Sequence, residues 1–256
     1  MTSETQPRAA SGQASQPSKG TIRVLQLYPR EMNIYGDWGN ALVLKQRIKW
    51  HGYTPELLEY NVGDEFPEDV DIIVGGGGQD SGQLVIQDDL QARAEQLREL
   101  ADDGAPMLVI CGLYQLFGKF FKTSSGPTIP GIGILDVETH GTDERLIGNV
   151  IMKSAEFGDI LGYENHSGQT TLGAGVEPLG TVTKGAGNNS KDGHEGARYN
   201  NVVASYLHGS LLPKNPAIAD FLIRTAAERK FGTFVPGTPD DDYARLAREH
   251  AARRPR

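Results

Sequence analysis

Short apolar runs alternate with longer helical patterns over the first half of the chain, and this alternation constrains the fold more than any other feature. In order, the segments are residues 22–27, 39–50, 70–74, 84–100, 107–110 and a helical stretch after Gly112. Strands that alternate with helices at this spacing form βαβ units around a buried parallel sheet. We therefore expect an α/β fold with a largely parallel central sheet and helices on both faces.

The second half of the chain is punctuated by glycine. Strand-like runs at 133–140, 146–154 and 199–207 precede one clear helix at 216–231. We expect these runs to form a mixed extension of the same sheet. Residues 184–198 (KGAGNNSKDGHEGAR) show no periodicity, which predicts a flexible loop.

The two ends of the chain differ in composition from the middle. Residues 1–20 contain almost no large apolar side chain, so they predict a disordered tail. Pro236 and Pro239 interrupt regular structure, and a charged tail that can form a helix follows. The predicted organisation is a tail at 1–20, one folded domain at 21–235 and a charged tail at 236–256.

Composition excludes several classes of protein. The chain has 256 residues and a net charge of −8, which argues against a dedicated nucleic-acid binder. One cysteine cannot form an intramolecular disulfide or a cysteine-based zinc site, and we expect no metal. No apolar run approaches the roughly 20 residues of a membrane span, and the N-terminus lacks the pattern of a signal peptide. We therefore expect a cytoplasmic protein without a transmembrane segment.

The single cysteine, Cys111, follows a strand-like run and precedes Gly112. This order is typical of a tight strand-to-helix turn that presents a nucleophile, at the edge where α/β sheets bind ligands. The helix N-terminus favours the thiolate. The alternative is a small buried apolar residue, but the position at a strand end favours the nucleophile.

A thiolate nucleophile needs a base and N–H donors for the oxyanion. His208 follows a strand-like run and precedes a glycine, so it is the leading candidate for the base; His140 and His166 also end apolar stretches. The glycine run at 75–78 follows a strand and lacks both the Walker lysine and the GxGxxG spacing. It predicts backbone donors at Gly77 and Gly78, together with Gly112, although a simple tight turn is the alternative reading.

Taken together, the Cys-Gly-x-Tyr-Gln sequence at 111–115, the earlier glycine run and Tyr-Leu-His-Gly at 206–209 resemble the class I glutamine amidotransferases, in the branch of the cobyric-acid and cobyrinate enzymes. Further motifs at 35–40 (YGDWGN), 76–80 (GGGQD), 164–168 (ENHSG) and 212–216 (LPKNP) are similar to the GatD family, the glutaminase subunits of lipid II isoglutaminyl synthases. The resemblance covers about residues 21–232. It implies a flavodoxin-like class I amidotransferase fold.

The resemblance also implies roles for individual residues. Cys111 matches the nucleophile that forms a glutamyl thioester, and His208 matches the general acid and base. Arg145 matches an arginine that binds the substrate glutamine, although from the sequence alone a solvated charge is the simpler reading. Gln79 is a further candidate for the substrate pocket, and Asp80 and the 164–166 segment fit either a binding or a structural role.

The family works as a heterodimer, which implies a partner for this chain. The resemblance implies no cofactor in this chain and a Mur-ligase-like partner, MurT, which uses ATP and Mg²⁺. The partner would amidate the α-carboxylate of D-glutamate in lipid II to D-isoglutamine, for peptidoglycan synthesis. The lipid-linked acceptor would bring the complex to the inner face of the membrane.

Two positions depart from the family pattern. Many class I enzymes carry His-x-Glu, but no carboxylate follows His208 here. Glu164 or another acid of this chain could approach the histidine, the partner could supply the acid, or the site could work as a Cys/His dyad. We hypothesise the partner, because this would make glutaminase activity depend on assembly. The second departure is Leu113, where close relatives often have a second glycine.

Three other functions stay open on the sequence. The amidotransferase could serve another acceptor, of the cobyric-acid type. The chain could be a cysteine hydrolase of the DJ-1/PfpI type, whose usual pattern is absent around Cys111. It could also be a catalytically silent scaffold subunit, against which the joint presence of Cys111, His208 and Arg145 argues.

Overall fold

The computed structural model describes residues 18–124 and 126–255, so the tail predicted for 1–20 lies almost entirely outside the described residues. The helices are α1 (Gly39–Trp50), α2 (Asp80–Ala92), α3 (Ala94–Asp102), α4 (Gly112–Phe117), α5 (Pro216–Phe231) and α6 (Asp242–Arg253). The strands are β1 (Thr21–Leu27), β2 (Thr54–Tyr60), β3 (Ile72–Gly75), β4 (Met107–Ile110), β5 (Phe120–Lys122), β6 (Thr128–Pro130), β7 (Val137–Ser154), β8 (Gly158–Leu172), β9 (Gly180–Lys184), β10 (His194–Glu195), β11 (Ala197–Tyr199) and β12 (Val202–Ser205).

Six strands form the first sheet, in the order β11-β12-β4-β3-β1-β2. All neighbouring pairs are parallel except β11 with β12. The central strands β3, β4 and β12 are buried at every position, which their continuous apolar sequences require. The α/β prediction is confirmed.

The strand order reverses between β1 and β3. The chain leaves β1 through α1 to the outer strand β2, whereas it leaves β3 through α2 and α3 toward β4 on the other side. Because parallel crossovers are right-handed, α1 lies on one face of the sheet and α2 and α3 lie on the other. The loops after β1 and β3 therefore lie side by side at the carboxyl edge, where open α/β sheets bind ligands.

Two elements of the first half differ from the sequence prediction. The edge strand β2 (TPELLEY) was missed, because it contains a proline and alternates exposed with partly buried positions instead of forming an apolar run. The single helix expected over 84–100 is two helices, α2 and α3. The backbone leaves helical geometry between them, at Arg93 (φ −99°, ψ 0°).

The second half of the chain forms a sheet of its own in addition to extending the first. Of the three runs expected to extend the first sheet, the one at 199–207 does so, through the end of β11 and β12, whereas the prediction was wrong for 133–140 and 146–154, which contribute β7 to another sheet. The remaining strands form a second sheet in the order β10-β9-β7-β5-β6, with β8 paired to β7. β7 and β8 make a long antiparallel hairpin whose register shifts between Gly141 and Leu146. This irregular stretch contains Arg145.

The prediction of a flexible loop at 184–198 was wrong. The segment contains β10 and the start of β11, and the side chains of Asn188, Asn189 and Glu195 are buried. Asn188 exchanges two hydrogen bonds with the backbone of Gly196, each of 2.9 Å. Asn188 and Asn189 thus bond to the segment's own backbone, which orders it without apolar periodicity.

The C-terminal tail contains α6 and packs back on the domain. Arg47 of α1, almost fully buried, pairs with Asp220 of α5 and with Asp241, which precedes α6. Arg248 of α6 donates to the carbonyl of Lys214 (2.7 Å). Across the described ranges, no helix is both long and apolar enough to cross a membrane.

Candidate active site

The chain turns sharply at Cys111, between the end of β4 and the start of α4. Its backbone has φ 48° and ψ −100°, a conformation that is rare for residues other than glycine. The Cys111 N–H donates to the carbonyl of Ser205 (2.9 Å), so the neighbouring strand β12 holds the turn. A Cβ at position 112 would lie 3.0 Å from the backbone nitrogen of Gly78 and 2.7 Å from the mobile Cε of Met32, so glycine relieves a tight backbone contact here. The turn presents the thiol at the carboxyl edge of the sheet.

Leu113 stands where the family resemblance leads us to expect a second glycine, and the turn accommodates it. The side chain is fully buried. Any Cβ on Gly75 would meet the Leu113 side chain, at 2.2 Å from its Cδ1. The glycine at the end of β3 therefore provides the space for the leucine.

His208 lies beside Cys111, in the loop after β12. Its backbone N–H donates to the carbonyl of Tyr163 in β8 (2.8 Å), and its ring is buried. A Cβ on Gly77 would lie 2.5 Å from His208 Cε1 and 3.1 Å from Cys111 Cβ. The two side chains therefore meet over Gly77, which must be glycine for both to fit.

Asp37 supplies a carboxylate to the histidine. Its Oδ2 lies 3.1 Å from His208 Nδ1 and also accepts the N–H of Gly77 (2.8 Å). Both side chains are buried, with exposures of 0% and 1%. Nδ1 is thereby engaged, and Nε2 makes no hydrogen bond to the described residues. This is the nucleophile, base and orienting acid arrangement of a Cys-His-Asp triad.

The charges of the site raise the pKa of His208 to about 10. Burial on its own lowers this pKa, but the negative charge of ionised Cys111 and the hydrogen bond to Asp37 outweigh it. The imidazole is therefore protonated at neutral pH whenever the cysteine is a thiolate. A protonated imidazole is the form that can give a proton to a leaving amine.

Glu164, the acid named in the sequence analysis, lies elsewhere. Its carboxylate accepts the N–H groups of Ala186 (2.9 Å) and Gly187 (2.8 Å), so it fastens the segment at 184–198. The carboxylate on His208 Nδ1 belongs to Asp37, which is another acid of this chain, and no partner residue is required at that position. Asp37 lies in the 35–40 motif, but no local pattern in that motif identifies it as the acid.

The expected oxyanion donors separate into two groups. The Gly77 N–H is taken by Asp37, so it is not free to bind an oxyanion. The N–H groups of Gly78 and Gly112 have no acceptor among residues 18–124 and 126–255. They belong to neighbouring backbone segments, because a Cβ on Gly112 would lie 3.0 Å from the nitrogen of Gly78. Gly78 and Gly112 can therefore form the oxyanion hole, and Gly77 cannot.

Cys111 and His208 open into a cavity of about 350 Å³. Arg145, from the irregular stretch of β7, and Gln79, at the start of α2, both line this cavity. The Arg145 Nε donates to Asn165 Oδ1 in β8 (2.7 Å). The structure thus brings both predicted substrate-binding residues to the cavity that contains the nucleophile.

A buried polar network supports the floor of the site. Gln83 of α2 donates to the carbonyl of Gly112 (3.0 Å) and to Gln115 Oε1 (2.8 Å). Gln115 donates to the hydroxyl of Tyr206 (3.2 Å), on whose ring His166 stacks. Burial lowers the pKa of His166 to about 4, so this second histidine is neutral and is not an alternative acid. The described residues bring together no cluster of His, Cys, Asp or Glu that could hold a metal ion.

Residues 23–216 match the CobB/CobQ-like glutamine amidotransferase domain. The chain belongs to this family. It is 40% identical over 213 residues to the lipid II isoglutaminyl synthase (glutamine-hydrolyzing) subunit GatD of Staphylococcus aureus (strain N315). The matched region covers 83% of this chain and 87% of the relative. Identity to the GatD subunit of Streptococcus pneumoniae (strain ATCC BAA-255 / R6) is 37% over 235 residues, or 90% of each chain.

Solved structures agree with this fold. A crystal structure of a glutamine amidotransferase matches with a TM-score of 0.56 and 17% identity, covering 79% of this chain and 98% of that chain. Membership of the CobB/CobQ-like family makes the chain a glutamine amidotransferase. Membership of this family also argues against a cysteine hydrolase of the DJ-1/PfpI type.

Proposed function

We propose that this amidotransferase is the glutaminase subunit of a lipid II isoglutaminyl synthase. The observation that carries the chemistry is the Cys111–His208–Asp37 arrangement beside two free backbone N–H groups. The similarity to GatD subunits over most of the chain supports the assembly. The partner would be a Mur-ligase-like subunit, MurT.

The first half of the reaction releases ammonia. The Cys111 sulfur attacks the side-chain amide carbon of L-glutamine, a C–S bond forms, and the carbonyl oxygen becomes an oxyanion held by the N–H groups of Gly78 and Gly112. His208 Nε2 then gives its proton to the amide nitrogen. The C–N bond breaks, ammonia leaves, and a glutamyl thioester remains on Cys111.

The second half regenerates the enzyme. Neutral His208 takes a proton from a water molecule, whose oxygen attacks the thioester carbon. The C–S bond breaks, glutamate leaves, and the thiolate of Cys111 faces a protonated imidazole again. In both halves Asp37 orients the ring and stabilises its positive charge.

The charged side chains of the cavity match the α-carboxylate and the α-ammonium group of glutamine in charge. The Arg145 guanidinium would bind the α-carboxylate, for which its planar fork is suited. Of the described residues that line the cavity, Asp80 is the one with a carboxylate. It would therefore receive the α-ammonium group, and Gln79 would lie between the two ends of the substrate.

The ammonia would pass to the partner. There, ATP and Mg²⁺ would activate the α-carboxylate of D-glutamate in lipid II, and amidation would give D-isoglutamine. The acceptor is lipid-linked, so the complex would work at the inner face of the membrane. The GatD names of the relatives support this acceptor over one of the cobyric-acid type.

The test uses the purified chain with L-glutamine, alone and with the Mur-ligase-like protein of the same organism. We expect glutamate to form in both reactions, and Cys111→Ala to abolish it. With ATP, Mg²⁺ and lipid II, mass spectrometry of the stem peptide should show amidation only when both proteins are present. Full glutamate release by Cys111→Ala would refute the mechanism, and an unamidated lipid II would refute the acceptor. If the wild-type chain formed no glutamate in either reaction, the result would favour the alternative of a catalytically silent scaffold subunit.

A further inference from the structure

Tyr35 holds an unusual backbone conformation at the mouth of the site. It has φ 60° and ψ 15°, in the left-handed region that side-chain-bearing residues rarely adopt. Its side chain is 46% exposed, so burial of an aromatic ring does not explain the strain. Residues in sparsely populated backbone regions cluster at functional sites. The contacts of the Tyr35 ring and hydroxyl are therefore candidates for a functional role.

The Tyr35 hydroxyl contacts the residues that are proposed to hold the substrate. It accepts a hydrogen bond from Asn165 Nδ2 (2.8 Å) and a longer one from Arg145 Nη2 (3.5 Å). Because Arg145 Nε also donates to Asn165 (2.7 Å), the three side chains form a closed cluster. Arg145 is exposed, and this cluster restricts its orientation.

The Tyr35 ring contacts the catalytic histidine. It packs edge-on against the His208 imidazole, with ring centroids 5.0 Å apart and planes at 76°. Tyr35 and His208 both line the glutamine cavity, and both also line a second cavity of about 470 Å³ beneath α6. Tyr35 and His208 thus stand together where the two cavities adjoin.

We propose that Tyr35 is a positioning residue with two separable contributions, which rests on the glutaminase function proposed above. The hydroxyl fixes Arg145 for the α-carboxylate of glutamine, and the ring holds the His208 imidazole between Asp37 and Cys111. Tyr35 lies two residues before Asp37 in the same loop. The loop after β1 therefore aligns the substrate-binding residues on β7 and β8 with the acid and base.

Two variants separate the contributions. Tyr35→Phe removes only the hydroxyl, so we expect the KM for L-glutamine to rise about tenfold, with kcat within about twofold. Tyr35→Ala also removes the ring, so we expect kcat to fall by about tenfold in addition. Tyr243→Phe is the matched control, because Tyr243 is 82% exposed on α6. The KM and kcat of this variant should equal those of the wild type.

Labelling of Cys111 gives a readout that does not depend on turnover. The glutamine analogue 6-diazo-5-oxo-L-norleucine must occupy the substrate site before it reacts with the thiol, whereas iodoacetamide needs only an accessible thiolate. For Tyr35→Phe, the analogue concentration for half-maximal labelling should rise about tenfold, while the iodoacetamide rate stays that of the wild type. Intact mass spectrometry follows the labelled fraction with time for both reagents.

The outcomes distinguish this inference from the proposed function. A wild type that neither hydrolyses glutamine nor reacts with the analogue would refute the glutaminase function itself. A fully active wild type with an unchanged KM and unchanged labelling in Tyr35→Phe would overturn only the role of Tyr35. A fall in kcat at constant KM in Tyr35→Phe would also overturn it, because the hydroxyl would then act on the chemistry and not on substrate binding.

Discussion

Asp37 and His208 are 171 residues apart in the chain, yet the carboxylate Oδ2 of the first lies 3.1 Å from Nδ1 of the second. The same oxygen receives the N–H of Gly77, so one carboxylate holds both the base and the glycine loop. All three members of the proposed triad therefore belong to this chain. The hypothesis that a partner supplies the acid is not needed to explain activity.

Replacement of Asp37 should impair chemistry more than binding. We expect Asp37→Asn to lower the kcat for glutamine hydrolysis by about 10²–10⁴-fold with little change in KM, because the amide cannot stabilise the imidazolium. Steady-state glutamate formation measures both constants. Asp71→Asn is a suitable control, since Asp71 is also buried and also receives a backbone N–H, from Arg23 (2.7 Å). Equal kcat values for the two variants would contradict the role of Asp37.

The protonation of His208 should make stability depend on pH. Its pKa is about 10 in the folded chain and about 6.5 when unfolded. The folded state therefore keeps a proton that the unfolded state loses, and the stabilisation present below pH 6.5 is lost as the pH rises to about 10. The contribution of His208 to the free energy of unfolding should fall across this range, by at most about 1.4 kcal/mol per pH unit.

Urea denaturation at a series of pH values measures this slope. Asp37→Asn removes one of the charges that raise the pKa of His208, so its slope should be smaller than that of the wild type. Identical slopes in the two proteins would show that another group controls the pH dependence.

The charge of Asp80 should distinguish substrates with and without an α-ammonium group. We expect Asp80→Asn to raise the KM for L-glutamine about tenfold and to leave the KM for glutaramate, which lacks that group, unchanged. Asp88→Asn, at an exposed position of the same helix α2, is the matched control. If the variant affected both substrates equally, Asp80 would not bind the ammonium group.

The buried Arg47 should stabilise the attachment of the C-terminal tail. Arg47→Met leaves Asp220 and Asp241 without their shared cation, and we expect a loss of about 2 kcal/mol in the free energy of unfolding. This value is below that for a fully buried pair, because both carboxylates are partly exposed. Arg245→Met removes an exposed pair with Glu249 and should change stability by less than about 0.5 kcal/mol. Urea denaturation compares the two variants.

Local sequence patterns predicted those parts of the site that lie on a single βα unit. A buried strand, Cys111 and Gly112 follow one another directly, and the glycine run follows β3 in the same way. Asp37 has no such local pattern, since it lies in an irregular loop and meets His208 only through the sheet order. The reversal between β1 and β3 places the loop after β1 beside the glycine run, and this topology was the signal that could have identified the acid.

The segment at 184–198 shows why polar composition misled the prediction. Glu164 from β8 receives two of its N–H groups, and Glu195 within it receives the N–H of Tyr206 (2.6 Å). Burial raises the pKa of Glu195 to about 8. Acceptors from distant parts of the chain therefore order a stretch that has no apolar periodicity, and a single-sequence pattern cannot reveal such acceptors.

The catalytic residues and the arginine proposed to bind the α-carboxylate stand on different sheets. Cys111, His208 and Asp37 follow strands of the first sheet, whereas Arg145 and Asn165 belong to the β7–β8 hairpin of the second. Sequence change in the hairpin can therefore alter the affinity for glutamine without altering the residues that break the amide bond. The two properties are free to evolve separately, and an enzyme of this design can match its glutamine affinity to the supply in a cell while its bond-breaking apparatus stays constant.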